Sequence, residues 1–218
     1  MERPHDWSPE PLPPPPQSYA STVSRNAHLT PEEEIQRRLA SFPKPQRTAL
    51  QRTWEVLCAA LPGAHPAISY GLPTLQVDGT SVIAVDGFTR HNSLFPYSGR
   101  VIANMSTWLP AFETTKGSIH FPADQAFPVP LAKRILRLRI QEINDSFPNR
   151  SGVAKAFFDN GFTKSTGKVK DGQMHGAWAW FRRDGTLMRT GNFHKGTRIG
   201  QWNTYDRAGN QVSSTQMS

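Results

Sequence analysis

Apolar residues recur at helical spacing in three stretches of the chain and at strand spacing between and after them. Thr30, followed by Pro31 and by Glu32, Glu33 and Glu34, predicts a helix start: a hydroxyl cap, a proline whose missing N–H costs nothing there, and carboxylates at the positive end of the dipole. That helix should end near Ala40. A second begins near Pro45 and sets Leu50, Trp54, Leu57 and Leu61 on one face, with Cys58 beside the stripe. After Pro62 and Gly63 the pattern shortens to β-branched and aromatic runs broken by Gly71, Pro73, Asp78-Gly79, Gly87 and Pro96. These predict strands near 66–70, 74–77, 80–88, 92–95 and 117–121, with a short helix over 101–108. The closing helix, Leu131 to Ile143, gathers Ala132, Ile135, Leu136 and Ile140 on one arc and Lys133, Arg134 and Arg137 on the other. Arg139 falls inside the apolar arc, where a guanidinium must find a carboxylate or carbonyl partner or contact a ligand.

Beyond residue 150 the pattern repeats. A shift of 24 residues superimposes Gly167, Gly172, Gly176, Trp178, Phe181 and Gly185 on Gly191, Gly196, Gly200, Trp202, Tyr205 and Gly209. A partial third copy matches Phe157 and Gly161 with Phe181 and Gly185. Turn glycines with aromatics between them predict consecutive antiparallel hairpins, in which Trp178, Phe193, Trp202 and Tyr205 form an internal ladder. The unit resembles MORN-type repeats of the YwqK-like, antitoxin-annotated kind over residues 157–212. That resemblance implies a protein-binding sheet.

Composition narrows the class. Residues 1–28 are proline-rich, with four consecutive prolines at 13–16, and read as a disordered tail. No apolar run approaches the ~20 residues that span a bilayer, and the N-terminal residues lack the basic start and apolar run of a secretory signal; a cytoplasmic protein is expected. The single cysteine, Cys58, excludes an internal disulfide and any multi-cysteine metal site. Net charge is +8, and residues 151–218 hold 10 basic against 4 acidic side chains. Such a surface attracts an anionic partner or nucleic acid, with anionic lipid a further alternative. The expected architecture is α+β: a two-layer helix-on-antiparallel-sheet domain over 29–146, a linker over 147–156, β-hairpin repeats over 157–212, and a tail over 213–218.

Four segments carry a second resemblance. They are Ile68-Ser69-Tyr70-Gly71-Leu72-Pro73-Thr74, His91 to Pro96, Thr115-Lys116-Gly117-Ser118-Ile119-His120-Phe121-Pro122, and the helix containing Arg139. Together they are similar to the YdhG-like domain of unknown function, whose relatives include a frataxin-like bacterial iron chaperone. The resemblance spans about 30–145 and places the family's recurrent positions on Tyr70, Gly71, Pro73, His91, Pro96, Lys116, Gly117 and Arg139. Of these, Tyr70, His91, Lys116, Gly117 and Arg139 are the candidate ligand-binding residues, because a lysine beside a glycine between two hydroxyls suits a small anion. Lys116, His91 and Arg139 are expected on one side of the domain, framing a pocket with Tyr70. Iron is the metal the resemblance implies, and Glu32 and Glu33 are the carboxylates available for it; no other cofactor is indicated.

Catalytic signatures are missing. Gly161 to Lys168 fails the phosphate-loop pattern in spacing and in its final residue, Val169, and the seven histidines have no metal-ligand spacing. The leading expectation is therefore a non-catalytic small-ligand, metal-binding or chaperone-like domain coupled to a repeat module that engages another protein. The alternatives are an adaptor or antitoxin led by the repeats, with the first domain as scaffold, and an enzyme using Lys116, His91 and Arg139.

Overall fold

The computed structural model describes residues 29–217; the tail expected over 1–28 lies outside them. Helix α1 (Pro31–Ala40) opens as its sequence dictates, with Thr30 Oγ1 accepting from Glu33 N and Glu33 Oε2 accepting from Thr30 N. Helix α2 (Lys44–Ala60) follows. Strands β1 (His65–Ser69), β2 (Leu72–Val77), β3 (Thr80–Gly87), β4 (His91–Phe95) and β5 (Ile119–Pro122) form an antiparallel meander in that spatial order. Between β4 and β5 lie α3 (Gly99–Asn104) and a 3₁₀ turn (Ser106–Trp108), where the sequence suggested one helix. Helix α4 (Val129–Ser146) closes the unit.

Alternation along the strands sends Leu75, Ile83, Val85, Leu94, Ile119 and Phe121 into a core filled from the helices by Leu50, Trp54, Leu57, Ile135, Leu136 and Ile140. Several buried polar groups hold this core together. Thr53 Oγ1 donates to Ala49 O and accepts from Phe127 N at 2.9 Å, pinning the segment that leads into α4. Gln46 donates to Phe88 O and Asn92 Oδ1, while Asn92 donates to Pro122 O and Ala123 O. These amides lock the β3–β4 turn and the end of β5 to α2.

The repeats form a six-stranded antiparallel sheet: β6 (Gly152–Phe157), β7 (Thr163–Lys170), β8 (Gln173–Phe181), β9 (Leu187–His194), β10 (Thr197–Tyr205) and β11 (Gln211–Met217), each paired with its sequence neighbours. The second half of the linker expected over 147–156 is thus strand β6, and the tail expected over 213–218 belongs largely to β11. Packing explains both departures. Trp178 lies flat on Gly167 and Trp202 on Gly191, so closely that a Cβ on either glycine would sit 2.2 Å and 2.4 Å from the indole. The end strands have only one neighbour and break this pattern: Ala154 stands 24 residues before Trp178, and Thr215 stands 24 residues after Gly191. Without the tryptophan or the glycine, the outer strands do not advertise themselves in the sequence.

The two sheets are joined through a shared core. Phe157, the last residue of β6, is buried among the residues of the first unit and packs against Phe147. Asn144 of α4 grips its backbone on both sides, donating to Phe157 O at 3.0 Å and accepting from Phe157 N at 2.8 Å. Gly63 N donates to Asn160 O, and a Cβ on Gly63 would meet Phe162 N at 2.2 Å. Lys155 also reaches Asp78 at 2.7 Å.

Phe157→Ala should lower stability by ~3–5 kcal/mol, the usual range for a buried phenylalanine, and destabilise both sheets together in thermal unfolding. Gly191→Ala should cost ~1–3 kcal/mol through overpacking against Trp202, measured by denaturant titration. Gly117→Ala should be near neutral, because no atom lies within 4 Å of its Cβ position.

Candidate functional site

Two polar constellations lie at the ends of the first sheet. The first is built on β4 and β5. His91 and His120 stack with ring centroids 4.2 Å apart, and Phe88 stacks on the other side of His91 at 5.2 Å. Register explains the approach, since Ser93 pairs with His120 and His91 with Pro122, placing the two imidazoles on one side of adjacent strands. His120 Nε2 bonds Ser118 Oγ at 3.0 Å, Ser118 Oγ bonds Thr115 Oγ1 at 2.8 Å, and His120 Nδ1 lies 3.7 Å from Glu113. Desolvation, reinforced by neighbouring His120, holds the His91 imidazolium below its ordinary pKa.

Lys116 and Gly117 occupy the turn that feeds this chain. Thr115 Oγ1 accepts from Gly117 N and Ser118 N, shaping the turn so that both residues are exposed. Gly117 has no positive φ, so the conformational reason for a glycine applies to Gly71, at φ 74°, and not to Gly117.

The second constellation centres on Arg139. Its guanidinium donates to Glu142 Oε2 at 2.8 Å and to Ser81 O at 3.1 Å, tying α4 to the start of β3. Glu142 Oε1 accepts from Ser98 Oγ and Arg100 Nε, at the opening of α3. Burial opposes the charge on Glu142, but the hydrogen bonds from Ser98 and Arg139 and the charges of Arg139 and Arg100 outweigh it and hold the carboxyl below its ordinary pKa. Arg139 is therefore engaged within the fold, with its side chain only 14% exposed. The i, i+3 spacing of Arg139 and Glu142 is the signal of this pair in the sequence.

Tyr70 follows Ser69, whose hydroxyl accepts from the hydroxyl of Ser81, the residue whose carbonyl Arg139 holds. It occupies the β1–β2 turn at φ 53° with 92% of its surface exposed, followed by Gly71 at φ 74°. Two other tight turns of the same kind place aspartate at this position, Asp78 and Asp171. Of the side chains expected to frame a pocket, Tyr70 projects into solvent, Arg139 is engaged by Glu142 and Ser81, His91 belongs to the imidazole stack, and Lys116 lies beside Gly99 at the opening of α3.

Two of the cavities differ in their relation to these groups. One, of about 220 Å³, sits where α2 and α4 meet the turns after β6 and β8, with Lys133, Arg137 and Arg183 around Asp159. Another follows α3 and α4 beside Glu142 and Asp145. Of the carboxylates suggested for iron, Glu33 is committed to the Thr30 cap and Glu32 is exposed beside it. Among the described residues no three His, Cys, Asp or Glu side chains converge as a metal site.

No family model matches the chain, and no curated protein matches it. Among solved structures it is similar to a crystal structure of a DUF1801 family protein, YdhG, from Bacillus subtilis. The two share 17% identity at a TM-score of 0.48, over 51% of this chain and 92% of that one. No helix among the described residues is long and apolar enough to cross a membrane.

Glu142 supplies a pH test. Its folded pKa is depressed, so its stabilising contribution is present above the ordinary carboxylate range and lost as pH falls through the folded value. Glu142→Gln should lower the melting temperature by about 2–4 °C at pH ~7, the equivalent of ~1 kcal/mol, and the gap to the parent protein should narrow as pH falls below the ordinary carboxylate range. Burial pushes the Cys58 thiol up to about 11, so at pH ~8 on the order of a thousandth is thiolate. An aromatic disulfide reagent should react with the folded protein slowly, and rapidly after denaturation.

Proposed function

We propose that the protein is a non-catalytic interaction protein in which the C-terminal repeat sheet, MORN-like in its 24-residue unit, engages another protein. The first unit serves as its rigid base. One observation carries this reading: β7 to β11 form a single layer whose indoles pack on their own glycines, leaving the opposite side as an uncovered polar face. A sheet that completes its apolar packing internally needs no second layer, so its broad face is available for recognition.

The YdhG-like resemblance supports a small-ligand or iron-chaperone role for the first unit less well. Arg139 and Glu33 already have partners within the fold, and the exposed candidates Tyr70 and Lys116 have no cavity of their own among those described. A frataxin-like delivery of iron would need carboxylates beyond Glu32 and Glu33. The adaptor or antitoxin-like reading, with the first unit as scaffold, fits the clamp between Asn144 and Phe157.

The test is hydrogen–deuterium exchange of the full chain alone and with a partner captured from cells of its source. Protection concentrated on β7–β11 is expected. Protection confined to 65–146 would assign recognition to the first unit and remove this reading.

A further inference from the structure

The strands of the repeat sheet carry no carboxylate: Asp159, Asp171, Asp184 and Asp206 all lie in turns. Three of the four are engaged there. Asp159 pairs with Arg183 at 2.5 Å, Asp184 faces Arg207 at 3.9 Å, and Asp206 accepts from Asn210 N and Nδ2. The strand cations divide between two faces. Arg189 and Arg198 share the side of the tryptophans, where Arg198 lies over the Trp202 ring at 4.7 Å. On the other side Lys164, Lys168 and Lys170 project from β7, all exposed and none among the ion pairs of the described residues.

This second face extends across neighbouring strands. Lys168 pairs directly with His175, and His175 lies 5.4 Å ring to ring from His194 on β9. The residues around them are small or uncharged, among them Thr166, Ala177, Ala179, Thr190 and Asn192. The strand surface is therefore positively charged. Of its lysines Lys155 is compensated by Asp78, and Asp171 lies beside Lys170 in the β7–β8 turn. Lys164 and Lys168 are left without an ion pair among the described residues.

The edges of the sheet are less suited to a partner. The Gly167 and Gly191 positions, on which the next tryptophan lies, are followed in the repeat by Thr215 on β11. An added strand carrying a tryptophan in the same pose would strike the Thr215 Cβ. At the other edge Lys155 of β6 is tied to Asp78 and Phe157 is buried in the first unit. Growth by a further repeat is blocked, and the lysine face remains.

We propose that this face, centred on Lys168, docks an acidic segment of a partner protein, an inference that rests on the protein-interaction reading above. Charge complementarity selects the partner. The chemistry favours protein over nucleic acid, because single strands are held by exposed aromatic platforms. Here Trp178, Phe193 and Trp202 are buried on the other side, and Tyr205 on this side is half-buried with its hydroxyl turned to Thr190.

Fluorescence anisotropy of the full chain with a labelled polyglutamate peptide tests it, alongside a single-stranded oligodeoxynucleotide of equal charge. Two double variants change net charge equally: Lys168→Glu with Lys170→Glu on this face, and Arg52→Glu with Arg189→Glu elsewhere. The lysine variant should weaken peptide binding about tenfold and the arginine variant less than about twofold, with melting temperatures near the parent's, since all four side chains are exposed. Equal weakening by both variants, or no saturable peptide binding, would overturn the proposal. Tighter, lysine-dependent binding of the oligonucleotide would replace the acidic protein with nucleic acid. Should a captured protein protect β7–β11 while the lysine variant still binds it fully, the protein-interaction reading stands and the lysine face is the wrong surface.

Discussion

The arrangement of the molecule depends on one side chain gripping one backbone. Asn144 near the end of α4 offers its carbonyl to Phe157 N and its amide to Phe157 O, replacing the pairing that the end of β6 lacks. With both polar groups satisfied, the Phe157 ring can be buried in the core beneath the first sheet without leaving unpaired backbone in an apolar setting. The close approach of Gly63 to the 161–162 backbone and the Lys155–Asp78 pair then follow from that docking. Two units that could have been joined by a tether instead share apolar contacts, so the orientation of the repeat sheet is set by the first unit.

Within the repeats a second constraint operates, the fit of indole on glycine. A tryptophan lying flat on the neighbouring strand covers its backbone and supplies apolar contact that a single-layer sheet otherwise lacks. Trp178, Trp180, Phe193 and Trp202 continue the contact across strands, with centroids 5.2–6.3 Å apart. The same fit sets where the array stops, because Ala154 and Thr215 replace the two halves of the motif at the outer strands. It also separates the faces: aromatic residues are consumed by packing, and lysines are left where recognition can use them.

Much of this was legible in the sequence, for physical reasons. The Thr30–Glu33 cap, the stripe of α2 and the arc of α4 depend on local spacing, and each lies within a few residues of its expected place. The five strands of the first sheet were marked by the turn residues Gly71, Pro73, Asp78, Gly79, Gly87 and Pro96 beside β-branched runs. The 24-residue period predicted the hairpins. What escaped were features set by distant partners. The role of Phe157 depends on Asn144, and nothing in β6 itself signals burial in another unit. Nor does the recurrence of Tyr70, His91 and Arg139 carry direction: Arg139 turns to Glu142 and Ser81, and Tyr70 turns to solvent.

The central claim is that the repeat sheet and the first unit form one cooperative body through the Phe157 clamp, so that the lysine face is presented on a fixed base. Native-state hydrogen exchange across a denaturant series measures this directly. Slowly exchanging amides of β8–β10 and of α2 and β3 should converge on a common opening free energy and a common dependence on denaturant. Two separate isotherms, with the repeat amides opening well below those of the first unit, would contradict it and reduce the clamp to a contact between independent folds.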